Sequence, residues 1–194
     1  MIEQQKQNLK KAGRYASVAA VMLILSVLQN TPGWFPSFFG AKAFLLIPAV
    51  ISASIFEKDI GGIFFGLFAG ALWDISASGS DYYAIFLVTV GFVCGSLLNN
   101  IMRPNILTNL LLSAAWVAVF CAGHWIFRYV FGGLDNAVHT LLTYYLPSFI
   151  WTVALSPVIF LIIFAIENAF SLDASVHNGV RKNELPKYNR FNNQ

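Results

Sequence analysis

The sequence predicts an all-α membrane bundle of six transmembrane helices with both termini cytoplasmic. Three observations predict it. Of 194 residues, 57% are hydrophobic and only 11% charged, whereas soluble domains carry about 25% charged residues. The apolar residues form long blocks that approach the roughly 17–25 residues a helix needs to cross a bilayer. The Lys and Arg residues fall almost entirely on alternate connections between those blocks, as cytoplasmic loops require.

A basic N-terminus, residues 1–14, leads into the six-helix domain at residues 15–168. The first span covers about 13–29 and the second about 41–56, with Pro48 inside it. A proline there predicts a kinked or broken helix whose freed carbonyl is satisfied by neighbours. The third span, about 60–77, follows the short turn Glu57-Lys58-Asp59 and must form an antiparallel hairpin with the second. The fourth, fifth and sixth cover about 82–98, 106–129 and 145–168. The remainder, 169–194, reads as a basic cytoplasmic tail, disordered or loosely held against anionic lipid. Gln-Asn-Thr-Pro follows the first apolar block where a cleavage site would need small residues, so that block reads as a retained helix.

Six spans put both termini on one side. With the N-terminus inside, Lys6, Lys10, Lys11, Arg14, Lys58, Arg103, Arg181, Lys182, Lys187 and Arg190 are cytoplasmic, ten of the twelve basic residues. Only Lys42 and Arg128 fall outside. The outer connections are NTPGWFPSFFGAK, SASGSD and a stretch through FGGLDNAVHT. The rings of the first suit a membrane–water interface. The net charge of +3 flanks membrane helices and is no footprint for nucleic acid. Cys94 and Cys121 lie inside apolar blocks and read as small buried hydrophobes.

The stretch GGIFFGLFAGALWD places Gly62, Gly66 and Gly70 four apart and ends in Asp74. Residues four apart share one helix face. Three glycines cost a helix about 2–3 kcal/mol relative to alanine, and close helix contact through small residues offsets that cost in lipid. Gly91 and Gly95 repeat the pattern in the fourth span, and Ala12, Ala16 and Ala20 in the first. Packing within the bundle and docking of a partner's helix both explain these rows. Asp74 lies about 21 Å along its helix, near the outer surface. It either caps the following connection or joins His124 and Arg128, which share a face of the fifth span, in an outer polar cluster.

Catalytic signatures are missing. No HExxH, GxSxG, Cys–His ligand spacing or Walker lysine occurs. Ser96 and His124 belong at opposite ends of their helices, and Asp135 sits in a loop apart from Asp74. The expectation is a protein that is not an enzyme and holds no metal or cofactor. Transport has one argument for it, since broken helices and half-buried charges mark substrate pathways, and one against, since no internal repeat and no midplane ionisable residue is present.

The order of these segments resembles the MreD family of rod-shape-determining membrane proteins over about residues 15–168. The likeness is carried by the basic N-terminus, by LQNTPGWFPSFFGAKAFLLIPAVISASIF, and by GGIFFGLFAGALWDISASGSDYYAIFLVTVGFVCGSL with its Gly62, Gly66 and Asp74. The resemblance implies a non-enzymatic, multi-pass subunit of the bacterial inner membrane. Its partner would be an MreC-like single-pass protein. Through that partner it would act, directly or indirectly, with MreB, RodA and a class B penicillin-binding protein in cell-wall elongation. Gly62, Gly66, Gly70 and Asp74 are the matching contact or fold-critical positions. The short second span with Pro48 and the aromatic first loop depart from the family pattern. A second likeness is to the substrate-binding subunits of energy-coupling-factor vitamin transporters, which dock through small-residue faces like the Ala12-Ala16-Ala20 row. Such a binder would need an outer pocket, for which Trp34, Asp74, Asp81, His124 and Arg128 are the available residues.

Overall fold

The computed structural model describes residues 2–31, 41–77, 83–100, 105–133 and 136–183. Trp34, Asp81, Arg103, Asp135, Lys187 and Arg190 lie outside the described residues. So do most of the first two outer connections, residues 134 and 135 of the third, and the end of the tail. All regular structure among the described residues is helical. The elements are α1 (Ile2–Asn30), α2 (Leu46–Ser76), α3 (Tyr83–Asn100), α4 (Ile106–Trp125), α5 (Ala137–Thr140) and α6 (Leu146–Asn183). A π-helical turn, Ile126–Phe131, extends α4, and a second, Leu141–Tyr145, joins α5 to α6. Between them the chain reverses through Gly133 and Asn136, both at positive φ. Glycine adopts that conformation without penalty, and asparagine does so more readily than most residues.

The molecule is built as a membrane protein is. Asn8–Asn30, Ile106–Tyr129 and Ala137–Phe170 are long and apolar enough to cross a bilayer. Leu46–Glu57, Ile60–Ser76 and Tyr83–Leu97 are shorter apolar helical segments. Large apolar side chains such as Ile24, Phe64, Ile85 and Phe127 face outward, as they do where the solvent is hydrocarbon.

α2 spans the charged Glu57-Lys58-Asp59, where the sequence predicts a short turn between antiparallel spans. If straight, its 31 residues would extend about 46 Å. Yet Phe44, just before it, stacks on Trp73 near its far end at 5.9 Å between centroids. Ser54 sits where a Cβ on Gly62 would go. The helix therefore folds back around Glu57–Gly61 into two antiparallel limbs, Leu46–Glu57 and Ile60–Ser76.

The first limb is the core of the bundle. Every residue from Ala43 to Ile55 is buried. Pro48 falls in its first turn, where a missing N–H breaks no helical bond, so the break predicted at the proline comes earlier, as the non-helical stretch Ala41–Leu45. α1, α4 and α6 enclose this limb, and α3 packs on the second. At the other end of the chain, α6 continues to Asn183, into the stretch the sequence assigns to a tail.

Candidate functional site

The glycine row is an internal contact. A Cβ on Gly62 would overlap the Gly91 carbonyl, one on Gly66 the Leu87 carbonyl, and one on Gly70 the Ala84 backbone. The register runs in opposite directions along the second limb of α2 and α3, so the two backbones touch along three turns. Gly95 is buried one turn beyond Gly91. α3 thus covers the face on which a partner's helix would have docked. The Ala12-Ala16-Ala20 row of α1 is exposed. It leads along α1 toward an apolar groove of about 430 Å3 lined by Leu23, Ile24, Val27, Leu28 and Thr31.

Asp74 caps the next helix. Its Oδ1 accepts from the Tyr83 N–H at 2.8 Å and its Oδ2 from the Ala84 N–H at 3.2 Å, satisfying two of the donors that a helix N-terminus leaves open. No ion pair or hydrogen bond joins it to His124 or Arg128. His124 Nδ1 pairs with the Tyr145 hydroxyl at 2.7 Å, and Arg128 is exposed in the π-helical turn. What assembles at this end is aromatic. Trp73 stacks on Tyr83 at 4.6 Å, Phe44 meets Phe120 edge-on at 4.9 Å, and Phe120 leads to His124 at 5.8 Å.

The polar groups with the most work to do were not singled out by the sequence. At the aromatic end, Ala41–Leu45 presents backbone N–H groups with no helical partner. The Lys42 N–H bonds Ser148 Oγ at 3.2 Å, the Phe44 N–H bonds Thr152 Oγ1 at 2.9 Å, and the Leu46 N–H bonds Gln29 Oε1 at 3.2 Å. Buried backbone donors left unpaired would each cost about 1–3 kcal/mol. Ser148 and Thr152 satisfy two donors of the non-helical stretch, and Gln29 satisfies the first N–H of α2.

Midway along the first limb lies a polar node. The Ser52 hydroxyl donates to Asn109 Oδ1 at 3.0 Å, Asn109 Nδ2 to Ser156 Oγ at 3.0 Å, and the Ser156 hydroxyl to Ser113 Oγ at 2.9 Å. All four side chains are fully buried. The node fastens the first limb to α4 and α6.

At the opposite end the Arg14 guanidinium lies between two carboxylates. One nitrogen pairs with Glu57, and the other with Glu167 at 3.1 Å. The Tyr15 hydroxyl donates to the second Glu57 oxygen at 2.7 Å. The Glu57 and Glu167 side chains are only 4% and 12% exposed, and Arg14 is 27% exposed. Burial of this depth makes each partner necessary to the others, because a buried carboxylate without its cation is strongly unfavourable. This clasp ties the ends of α1 and α6 to the reversal of α2.

One signal for these groups was present in the sequence. Gln29 and Asn109 are amides inside or beside apolar blocks, and an amide there needs a hydrogen-bonding partner. The clasp had none, because Arg14, Glu57 and Glu167 read separately as charges flanking helix ends.

Chemically, the arrangement binds helices to one another. The described residues contain no group of three or more His, Cys, Asp or Glu able to hold a metal ion. The free thiols Cys94 and Cys121 are both buried. Compared with known proteins, the chain matches no family model, no curated protein and no solved structure.

Proposed function

We propose that this chain is a non-enzymatic membrane subunit that acts by helix contact. On the resemblance of residues 15–168 to MreD, it would be a subunit of the bacterial cell-elongation machinery with an MreC-like single-pass partner. One observation supports the contact reading above a solute-binding one. Of the polar side chains buried among the described residues, Gln29, Ser52, Ser54, Asn109, Ser113, Ser148, Thr152 and Ser156 are each bonded to another side chain or to backbone of the same chain. Asp74 is engaged in the same way. A solute site needs convergent polar groups held open for the ligand, and these are closed on one another.

In this reading the six helical segments cross the inner membrane in turn. The clasp lies at the cytoplasmic side, with both termini, and the aromatic cluster lies at the outer side. MreB, RodA and a class B penicillin-binding protein would be reached directly or through the MreC-like partner.

Gentle affinity purification of the tagged protein from its native membrane, with mass spectrometry of what co-purifies, tests the proposal. The expected result is a single-pass protein with a large extracytoplasmic domain, together with cell-wall synthases. Recovery instead of a coupling subunit with its ATPases, or of a tightly held small molecule, would overturn it in favour of a vitamin-transporter subunit.

A further inference from the structure

We infer that the first limb of α2 is a pin clamped at both ends by the same two helices, so that its two ends hold or release together. At one end α1 supplies Gln29 and α6 supplies Ser148 and Thr152. At the other, α1 supplies Arg14 and Tyr15, and α6 supplies Glu167, all converging on or around Glu57. Between the clamps the limb is a helix, Leu46–Glu57, about 18 Å long, with the Asn109 node at its middle.

Three physical facts make the ends interdependent. A single helical run carries axial displacement from one end to the other, since its backbone bonds hold the rise per residue constant. Hydrogen bonds of about 3 Å do not survive a slip of an ångström or two. The Phe44 N–H, buried in the non-helical stretch Ala41–Leu45, is satisfied only while it stays on Thr152. A slip that opens the Gln29–Ser148–Thr152 clamp thus also draws Glu57 away from Arg14, and the reverse holds by the same displacement. Close packing along Ala43–Ile55 makes the docked position discrete, because a packed core does not deform continuously. The pin is a conformational device joining the two ends of the bundle, and it holds whatever partner the protein has.

The test places a thiol reporter at each end of the pin in the purified full-length protein in detergent. Ala43→Cys and Ile55→Cys, both at buried positions, are followed by the rate of N-ethylmaleimide modification at each site, read by mass spectrometry. Native Cys94, buried in α3, serves as the internal reference. Gln29→Leu with Thr152→Val should raise the rate at the far reporter, Ile55→Cys, about tenfold, and Arg14→Gln should do the same at Ala43→Cys, the size typical of coupled sites. Cys94 should be unaffected in both. Thr152→Val alone, which removes the bonds to the Phe44 N–H and the Ser148 carbonyl, and Tyr15→Phe, which removes the one to Glu57, repeat the test with milder lesions. Acceleration confined to the reporter beside each lesion would overturn the inference. Acceleration of Cys94 to the same extent would overturn it too, since the whole bundle would then be loosening.

Discussion

Gly66 and Asp74 belong to one motif and fail in different ways. A side chain at Gly66 meets the Leu87 carbonyl, which is backbone and cannot rotate aside. Gly66→Leu is therefore expected to abolish the monodisperse, folded protein in detergent. Ala71→Leu, at an exposed position on the same limb, should leave thermal unfolding unchanged, and equal effects of the two would show that the contact with α3 is not limiting. Asp74→Ala removes a cap from α3 and should cost about 1 kcal/mol. Asp74→Asn keeps one acceptor oxygen and should cost less. Hydrogen exchange at the first turn of α3, faster in the alanine variant than in the asparagine variant, checks that order. Arg14 is the most consequential single residue, because its loss strands Glu57 in a buried setting. Arg14→Leu should cost about 3–5 kcal/mol, Glu167→Gln should cost less because Arg14 keeps Glu57, and the double variant Arg14→Leu with Glu57→Leu should recover part of the loss. Equal destabilisation by Arg14→Leu and the double variant in chemical unfolding would show that charge compensation is not what the clasp supplies.

The first limb of α2 inverts the usual expectation for a short, proline-containing segment. It is the weakest of the six by length and the most buried in the structure, because its partners supply what its own backbone lacks. Asn109 shows the dependence at the level of elements, since it bridges three helices through Ser52 and Ser156. Asn109→Leu removes the amide bridge, leaves Ser52 on the Pro48 carbonyl and Ser156 on Ser113, and should lower stability by about 1 kcal/mol. The exposed Thr89→Val on α3 should be neutral. Thermal unfolding of both variants in the same detergent decides this, and a neutral Asn109→Leu would mean that the node contributes shape rather than hydrogen bonding.

At the scale of the molecule, most buried polar side chains among the described residues bond within the chain, and the small-residue face of α2 is covered by α3. Contact with other proteins must therefore use outward faces, of which α1 carries the exposed alanine row. Solute binding by the polar groups buried among the described residues would require those bonds to open. A vitamin or other small ligand should accordingly produce no stabilisation in a thermal screen of the purified protein. A shift of several degrees with any one compound would favour the transporter-subunit reading over the scaffold.

Hydropathy, glycine spacing and the distribution of Lys and Arg specified helices, their approximate limits and a sharp reversal near Glu57, because those properties are local and periodic. The glycine row also stated that something comes close, since three missing side chains on one face have no other physical use. Its occupant, α3, was a matter of tertiary structure, as was the choice of Asp74 between a cap and an ion pair. The clasp, the node and the caps on Ala41–Leu45 could not be read from spacing. Arg14, Glu57 and Glu167 are separated by more than forty and more than a hundred positions, and only folding brings them within a hydrogen bond. Burial then turns three ordinary flanking charges into an interdependent group, because in a low-dielectric surrounding each is unfavourable without the others.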